Sequence, residues 1–252
     1  MRIEVAGDTH VGMRRAHNED SFLLLPEENL CVVADGMGGH ASGEIASRIA
    51  VETLELFFRS TSGEREITWP FGTDETRARS ENRLLVGIRQ ANARIVELAG
   101  REPRYKGMGT TLVSLLVAEG RAWFGWAGDS RAYRFRDGKL VQLSEDHSLV
   151  NDLLKAKRLT PAEAEKFPHR NVIVRALGMR EPLPIDVCSD EPRPGDLYLL
   201  CSDGLSGMLS DEKIERILSR TQPLDRAVRQ LGDGANAAGG VDNVTVVLAR
   251  IA

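Results

Sequence analysis

The chain has 252 residues, 42% of them hydrophobic and 28% charged, with a formal net charge of −4. That composition fits a globular chain with one substantial core, expected as a single domain over residues 3–251, and the acidic balance excludes nucleic-acid binding as the main function. No basic-then-apolar leader and no membrane-length apolar run appear, so a cytoplasmic protein without membrane contact is expected; Cys31, Cys188 and Cys201 lack the spacing of a disulfide framework or zinc ribbon.

In chain order, the pattern predicts strands over 3–6, 21–25 and 30–34, the last two forming a hairpin across a turn at 26–29. From Ser42 an amphipathic helix follows, with Ile45, Ile49 and Leu56 on its apolar face. Residues 60–76 read as a polar loop in which Trp69 packs over the adjacent helix. A second helix runs over 81–98, with Leu84, Ile88, Ala91 and Ile95 facing the core. Strands over 111–117, 121–127, 132–135 and 140–143 read as a meander, with Asp137 and Gly138 as an ordinary hairpin turn. The stretch 150–164 is expected to be helical, with Thr160 and Pro161 offering a cap and a first helical residue. Strands at 185–187 and 197–201, helices at 211–218 and 224–236, and a last strand at 243–250 complete the chain. Runs of strands alternating with helix pairs make an α+β layout rather than a regular βαβ succession.

Asp35 in CVVADGMGGH, Asp203 in LYLLCSDGL and Asp242 in GGVDNVTVVLA lie where apolar runs meet glycine or asparagine. The first two close strand-like runs and the third precedes one, so antiparallel pairing can bring all three to one sheet edge. Clustered carboxylates repel unless protonated or neutralised, and hard oxygen ligands favour magnesium, manganese or calcium over zinc. RRAHNEDS contains Arg15, Asn18, Glu19 and Asp20. It reads either as a solvated turn or as a guanidinium for phosphate oxygens beside acids for metal-held water. Asp129 in GWAGDSRAYRF reads either as a turn residue or as a fourth carboxylate of the cluster.

RRAHNED, DGMGGH with the following SGEIAS, GMGTTL, GDSRAY, DHS, CSDGL and VDNVTVV succeed one another from Gly7 to Val247. In that order they resemble the metal-dependent serine/threonine protein phosphatases of the protein phosphatase 2C family, and DGMGGH resembles the bacterial branch. The resemblance implies a four-layer α-β-β-α sandwich, two antiparallel sheets flanked by helix pairs, and two manganese or magnesium ions, with a third, weaker ion seen in bacterial members. It implies that Asp35 bridges the two ions, that the Gly36 carbonyl binds the first, and that Asp203 and Asp242 bind the second. Asp129 with Asp203 would hold the third. Arg15 would hold the substrate phosphate, Glu19, Asp20 and Asn243 would support the ligands from behind, and residues 150–177 would form a flap.

The implied reaction is hydrolysis of phosphoserine or phosphothreonine on proteins, with in-line attack by a metal-bridging hydroxide and no covalent intermediate. The implied setting is bacterial signalling, in a monomer opposing eukaryotic-like serine/threonine kinases. One departure is Met37, where many eukaryotic members have a histidine proposed as general acid; His40 or a metal-held water is left for that role. His147 is expected to be a structural hydrogen-bonding residue, and His10, His17 and His169 to be exposed. A partner-binding pseudophosphatase is the alternative, although no expected ligand is missing. GDTHVG imitates a calcineurin-like motif, but the histidines that such enzymes need are absent. No cysteine begins a C-x5-R, and no Walker motif is present.

Overall fold

Strand β3 (Leu30–Met37) has no solvent face over its apolar part: Val32 and Ala34 pack among helix residues, while Cys31 and Val33 pack against a second sheet. A strand buried on both sides does not alternate, which is why CVVA reads as a continuous apolar run. The computed structural model describes residues 1–38, 42–63, 69–164, 167–169, 171–221 and 223–252.

One sheet has the order β1 (Ile3–His10), β11 (Val244–Ile251), β10 (Leu197–Cys201), β7 (Arg131–Arg136) and β8 (Lys139–Gln142). The other has the order β2 (Asp20–Leu25), β3, β5 (Leu112–Ala118), β6 (Arg121–Ala127) and β9 (Asp186–Asp190), with the short β4 (Gly109–Thr110) added on β3. All named pairings are antiparallel. Helices α1 (Ser42–Ser60) and α2 (Arg79–Arg101) cover the second sheet, and α6 (Asp211–Arg220) and α7 (Leu224–Ala237) cover the first. Three apolar layers result, one between the sheets and one under each helix pair. This is the expected four-layer α+β sandwich.

Several local expectations are corrected. The apolar face of α1 is formed by Ala46, Ala50, Leu54, Phe57 and Phe58, whereas Leu56 points to solvent. The small alanines let α1 sit close against β2 and β3, and spacing alone gave Leu56 too much weight. On α2, Leu84, Ile88, Ala91 and Ile95 are all fully buried, as expected. Residues 150–164 do not form one helix: α3 (Leu149–Lys155) stops, Lys157 takes a left-handed φ of 54°, and α4 (Pro161–Ala164) restarts. The restart is a capping box, in which Glu163 Oε2 accepts from the Thr160 amide and hydroxyl while the Glu163 amide donates to Thr160 Oγ1. The expected meander is interrupted at 128–130, where the chain leaves the second sheet after β6 and enters the first at β7. Trp69 is buried against Phe57, and Asp137 and Gly138 turn the β7–β8 hairpin with positive φ at both residues.

The far end of the sandwich is clamped by charge. Asp190 on β9 accepts from Arg134 of β7 (2.7 Å) and from the Tyr198 hydroxyl of β10 (2.8 Å), so one carboxylate ties the two sheets together. Asp190→Ala would leave both donors without this acceptor in a mostly buried setting. We expect a loss of about 2 kcal/mol in urea unfolding; a loss below about 0.5 kcal/mol would show that the clamp carries little of the stability.

Candidate metal centre

The opposite end gathers the acids. Asp35 lies within β3, directly across from Asp20 on β2. In the other sheet, the end of β10 lies beside the starts of β11 and β7, because Cys201 pairs with both Val246 and Arg131. Asp203, Asp242 and Asp129 occupy the turns just beyond those strand ends, so both sheets deliver carboxylates to one edge. Asp203 begins the short helix α5 (Asp203–Ser206). Thr111 joins the two contributions: its amide donates to the Asp35 carbonyl (2.8 Å), and its hydroxyl bonds Ser130 Oγ (2.7 Å) beside Asp129.

Two glycines permit the approach of the supporting segments. A Cβ on Gly36 would lie 2.2 Å from the Gly43 carbonyl oxygen and 2.5 Å from that of Glu19. A Cβ on Gly204 would lie 1.9 Å from the Asn243 carbonyl oxygen. Without side chains there, the first turn of α1 closes on Gly36, and α5 closes on the segment carrying Asp242.

Burial and mutual repulsion set the electrostatics of the edge. Asp35 is pushed well above the ordinary carboxylate range by burial, and then by Asp20, Asp203, Asp129 and Asp242. Burial is likewise the main cause that pushes Asp129 up to about 7, followed by Asp203 and Asp146. Asp20 is also pushed up to about 7 by burial, although Ser202 and Thr245 both donate to its Oδ2, at 2.8 and 2.6 Å. Asp203 is raised by burial and by Asp242, with a hydrogen bond shared with Asp35 acting in the other direction. Glu19 is raised by burial and accepts from the Gly43 amide at the start of α1. Oδ1 of Asp20 and Oδ1 of Asp129 are buried without a hydrogen-bond partner.

Arg15 supplies positive charge at the rim. Its Nη2 lies 2.6 Å from Asp242 Oδ2, with the arginine side chain 51% exposed. Asn243 holds the loop that carries it: Asn243 Oδ1 accepts from the Glu19 amide, and Nδ2 donates to the carbonyls of Val11 and His17. His10, His17 and His169 are exposed. His40, one of the two candidates left for the proton donor, lies outside the described residues.

The sequence reading missed the partners of these acids. Arg131 grips Asp146 through a two-pronged contact (2.9 and 2.7 Å) beside Asp129. Ser202 and Thr245 sit at polar breaks in apolar runs, but only the folded chain shows that both serve Asp20. His147 is buried and structural, as expected. Its Nδ1 accepts from the Gly128 amide, and its own amide donates to the Gly128 carbonyl, pinning the turn that carries Asp129. The ring proton therefore resides on Nε2 and is donated to Asp186, while Arg175 lies alongside and binds the same carboxylate. Burial, foremost, lowers the pKa of His147 and keeps it in this neutral form. Through the Val174 amide, which donates to the His147 carbonyl, the same residue holds the root of the 150–177 segment.

An oxygen-only donor set, a surplus of buried negative charge and two buried carboxylate oxygens without partners together fit hard divalent cations. Among the described residues no three acidic, histidine or cysteine side chains already close on one point.

The family model described as "Protein phosphatase 2C" matches residues 6–233. The chain is 36% identical to protein phosphatase PhpP of Streptococcus pneumoniae, over 98% of this chain and 96% of that protein. It is 39% identical to serine/threonine protein phosphatase PstP of Mycobacterium tuberculosis, over 95% of this chain but 43% of that protein's length. Among solved structures, the catalytic domain of PstP in complex with two manganese ions superposes with a TM-score of 0.83 at 36% identity, covering 99% of this chain and 98% of that one.

The raised acids have a consequence for pH. Asp20 and Asp129 have folded pKa values of about 7 against an ordinary 3.8, so the folded state binds their protons more tightly than the unfolded chain does. Their contribution to stability is therefore complete below pH about 4 and is lost as the pH rises towards 7. Metal-free protein is expected to melt at a lower temperature at pH 8 than at pH 5, and Asp20→Asn to remove part of that fall. Manganese is expected to raise the melting temperature more at pH 8 than at pH 5. Equal melting of metal-free protein at both pH values would contradict the electrostatic account.

Proposed function

The chain belongs to the protein phosphatase 2C family, and from that premise we propose that it hydrolyses phosphoserine and phosphothreonine on proteins, using manganese or magnesium held at the acidic edge. The observation that carries the reading is the convergence of Asp35, Asp129, Asp203 and Asp242 beside the half-exposed guanidinium of Arg15.

Asp35 and the Gly36 carbonyl would hold one ion, with Asp35 shared with a second that Asp203 and Asp242 would hold. A third, weaker ion is assigned to Asp129 with Asp203. When bound, the ions polarise the phosphoryl oxygens and acidify the water that attacks phosphorus. The chain's own residues do the rest. Arg15 leaves Asp242 to grip two phosphate oxygens with its planar fork and holds phosphorus in line for attack. Glu19 and Asp20 accept hydrogen bonds at the rim of the cluster, each fixed from behind, Glu19 by Gly43 and Asp20 by Ser202 and Thr245. Asn243 keeps the Arg15 loop against Asp242. The proton for the departing serine or threonine oxygen would come from His40 or from a metal-held water.

The chain acts as one catalytic domain over 3–251, with residues 150–177 as its flap. The full set of expected ligands weighs against a pseudophosphatase, as do the phosphatase names of the relatives. Phosphoproteins are the substrates, and a serine/threonine kinase acting on the same proteins is the natural counterpart. Free Cys31, Cys188 and Cys201 fit a monomer working in the reducing cytoplasm. Among the described residues no helix is long and apolar enough to cross a membrane.

Asp242→Asn is expected to reduce manganese-dependent hydrolysis of a phosphothreonine peptide by about two orders of magnitude or more, with the fold intact by circular dichroism. Full activity in that variant, or wild-type activity in excess chelator, would refute the metal mechanism. For Arg15→Ala the Michaelis constant is expected to rise about tenfold, with a much smaller change in manganese affinity by calorimetry. An unchanged Michaelis constant would remove Arg15 from the phosphate site.

A further inference from the structure

Strands β1 and β11 are neighbours, and their register sets His10, the last residue of β1, opposite Val244, the first of β11. The loop that carries Arg15 leaves one of these strand ends, and the turn that carries Asp242 enters the other. Segments that emerge side by side can brace each other through their backbones, and these two do. The Met13 amide donates to the Gly240 carbonyl (2.7 Å), and the Gly12 amide turns back to donate to His10 Nδ1 (2.9 Å).

Gly12 is the point of closest approach. Its φ of 81° lies in the left-handed region, where a residue with a Cβ is strained. A Cβ there would lie 2.1 Å from the Asp242 carbonyl oxygen and 2.9 Å from that of Gly240. Both are backbone atoms, which cannot rotate aside as a side-chain tip does, so any other residue at this position must part loop and turn by about an ångström. The turn runs straight into β11, whereas residues 12–16 only span the Val11 and His17 carbonyls that Asn243 Nδ2 holds. The loop is therefore the side that gives way. Arg15 stands three residues beyond Gly12, and its side chain is long and half-exposed. Such a side chain has many rotamers, so the place its guanidinium occupies is set by where its backbone stands.

We propose that Gly12 is a positioning residue for Arg15: it lets the loop sit on the Asp242 carbonyl and so fixes the phosphate-gripping guanidinium beside the Asp242 carboxylate, with His10 holding the bend. The proposal rests on the phosphatase reading above and adds that the arm for substrate phosphate and an acid of the metal edge share one backbone seat. Gly12 has no side chain to offer phosphate or ion, and its effect passes through Arg15. Spoiling the seat weakens the grip on phosphate and leaves the ions nearly undisturbed.

The test uses the full chain with manganese and a phosphothreonine peptide, with inorganic phosphate as a competing ligand and manganese binding followed by calorimetry. Gly12→Ala is expected to raise KM and the phosphate inhibition constant about tenfold, with kcat lowered by less than about threefold and manganese affinity changed by less than about twofold. In an Arg15→Ala background the same change should add less than about twofold, whereas an independent structural effect would multiply. His10→Leu and His10→Asn form a second pair that leaves the core alone, since His10 is exposed. Asparagine can present Oδ1 to the Gly12 amide as Nδ1 does, so it should hold KM near the wild-type value while leucine raises it about threefold. A folded Gly12→Ala protein with KM within about twofold of wild type, or a tenfold effect that persists without Arg15, would overturn the proposal and leave the phosphatase reading standing. Where Gly12→Ala does not fold, the His10 pair decides, and equal KM in its two members overturns the proposal. A wild-type chain that hydrolyses no phosphopeptide would overturn the phosphatase reading, and the proposal with it.

Discussion

Repulsion among buried carboxylates is the constraint on which the rest of the structure depends. Asp20, Asp35, Asp129 and Asp203 are drawn out of water at one edge of the sandwich, and each resists ionisation there. Nothing in a folding core rewards such an arrangement, because each charge is desolvated and faces others of the same sign. It persists because the remaining structure over-determines it. Three apolar layers fix the two sheets, the sheets fix the strand ends, and the strand ends carry the acids. Desolvated like charges held together in this way mark the edge as a candidate functional site.

The polar groups around the cluster divide into two sets. One set holds the acids in place without neutralising them: Ser202 and Thr245 bond the Asp20 carboxylate, and Thr111 ties the Asp35 backbone to Ser130 beside Asp129. These are hydroxyls, which orient an acid while leaving its charge for a metal. The other set is cationic, and each guanidinium is already paired with an acid. Arg131 is spent on Asp146, and Arg15 reaches Asp242 from a half-exposed position. A guanidinium buried at the centre would have satisfied the acids permanently and left no demand for an ion.

His147 shows how the site and its surroundings are mechanically joined. The same residue clasps Gly128 on one side and the returning end of the 150–177 segment on the other. A sequence reading can identify such a histidine as structural, but it cannot say which two segments are joined. The interrupted meander has a similar explanation. Periodicity marks β6 and β7 correctly as strands, yet gives no hint that the chain changes sheets between them. That change is the event that delivers Asp129 to the site.

Much of the fold and of the candidate site was legible in the chain. Apolar runs without alternation announce strands buried on both faces, and helical spacing on α2 names its core residues. Acids at strand ends, set apart from the ordinary turn at Asp137 and Gly138, single out the metal edge because antiparallel strands must return their ends to a common side. What the chain alone left undecided depends on long-range registration. The face of α1 was decided by which small residues the sheet admits, and Leu56 lost to Ala46 and Ala50. The split of 150–164 was decided by a left-handed residue at Lys157 and by the separate cap at Thr160. The pairing of Asp20 with hydroxyls from β11 and the end of β10 joins residues far apart in the chain. Local pattern specifies which residues must leave water; only tertiary packing decides which of them then face one another.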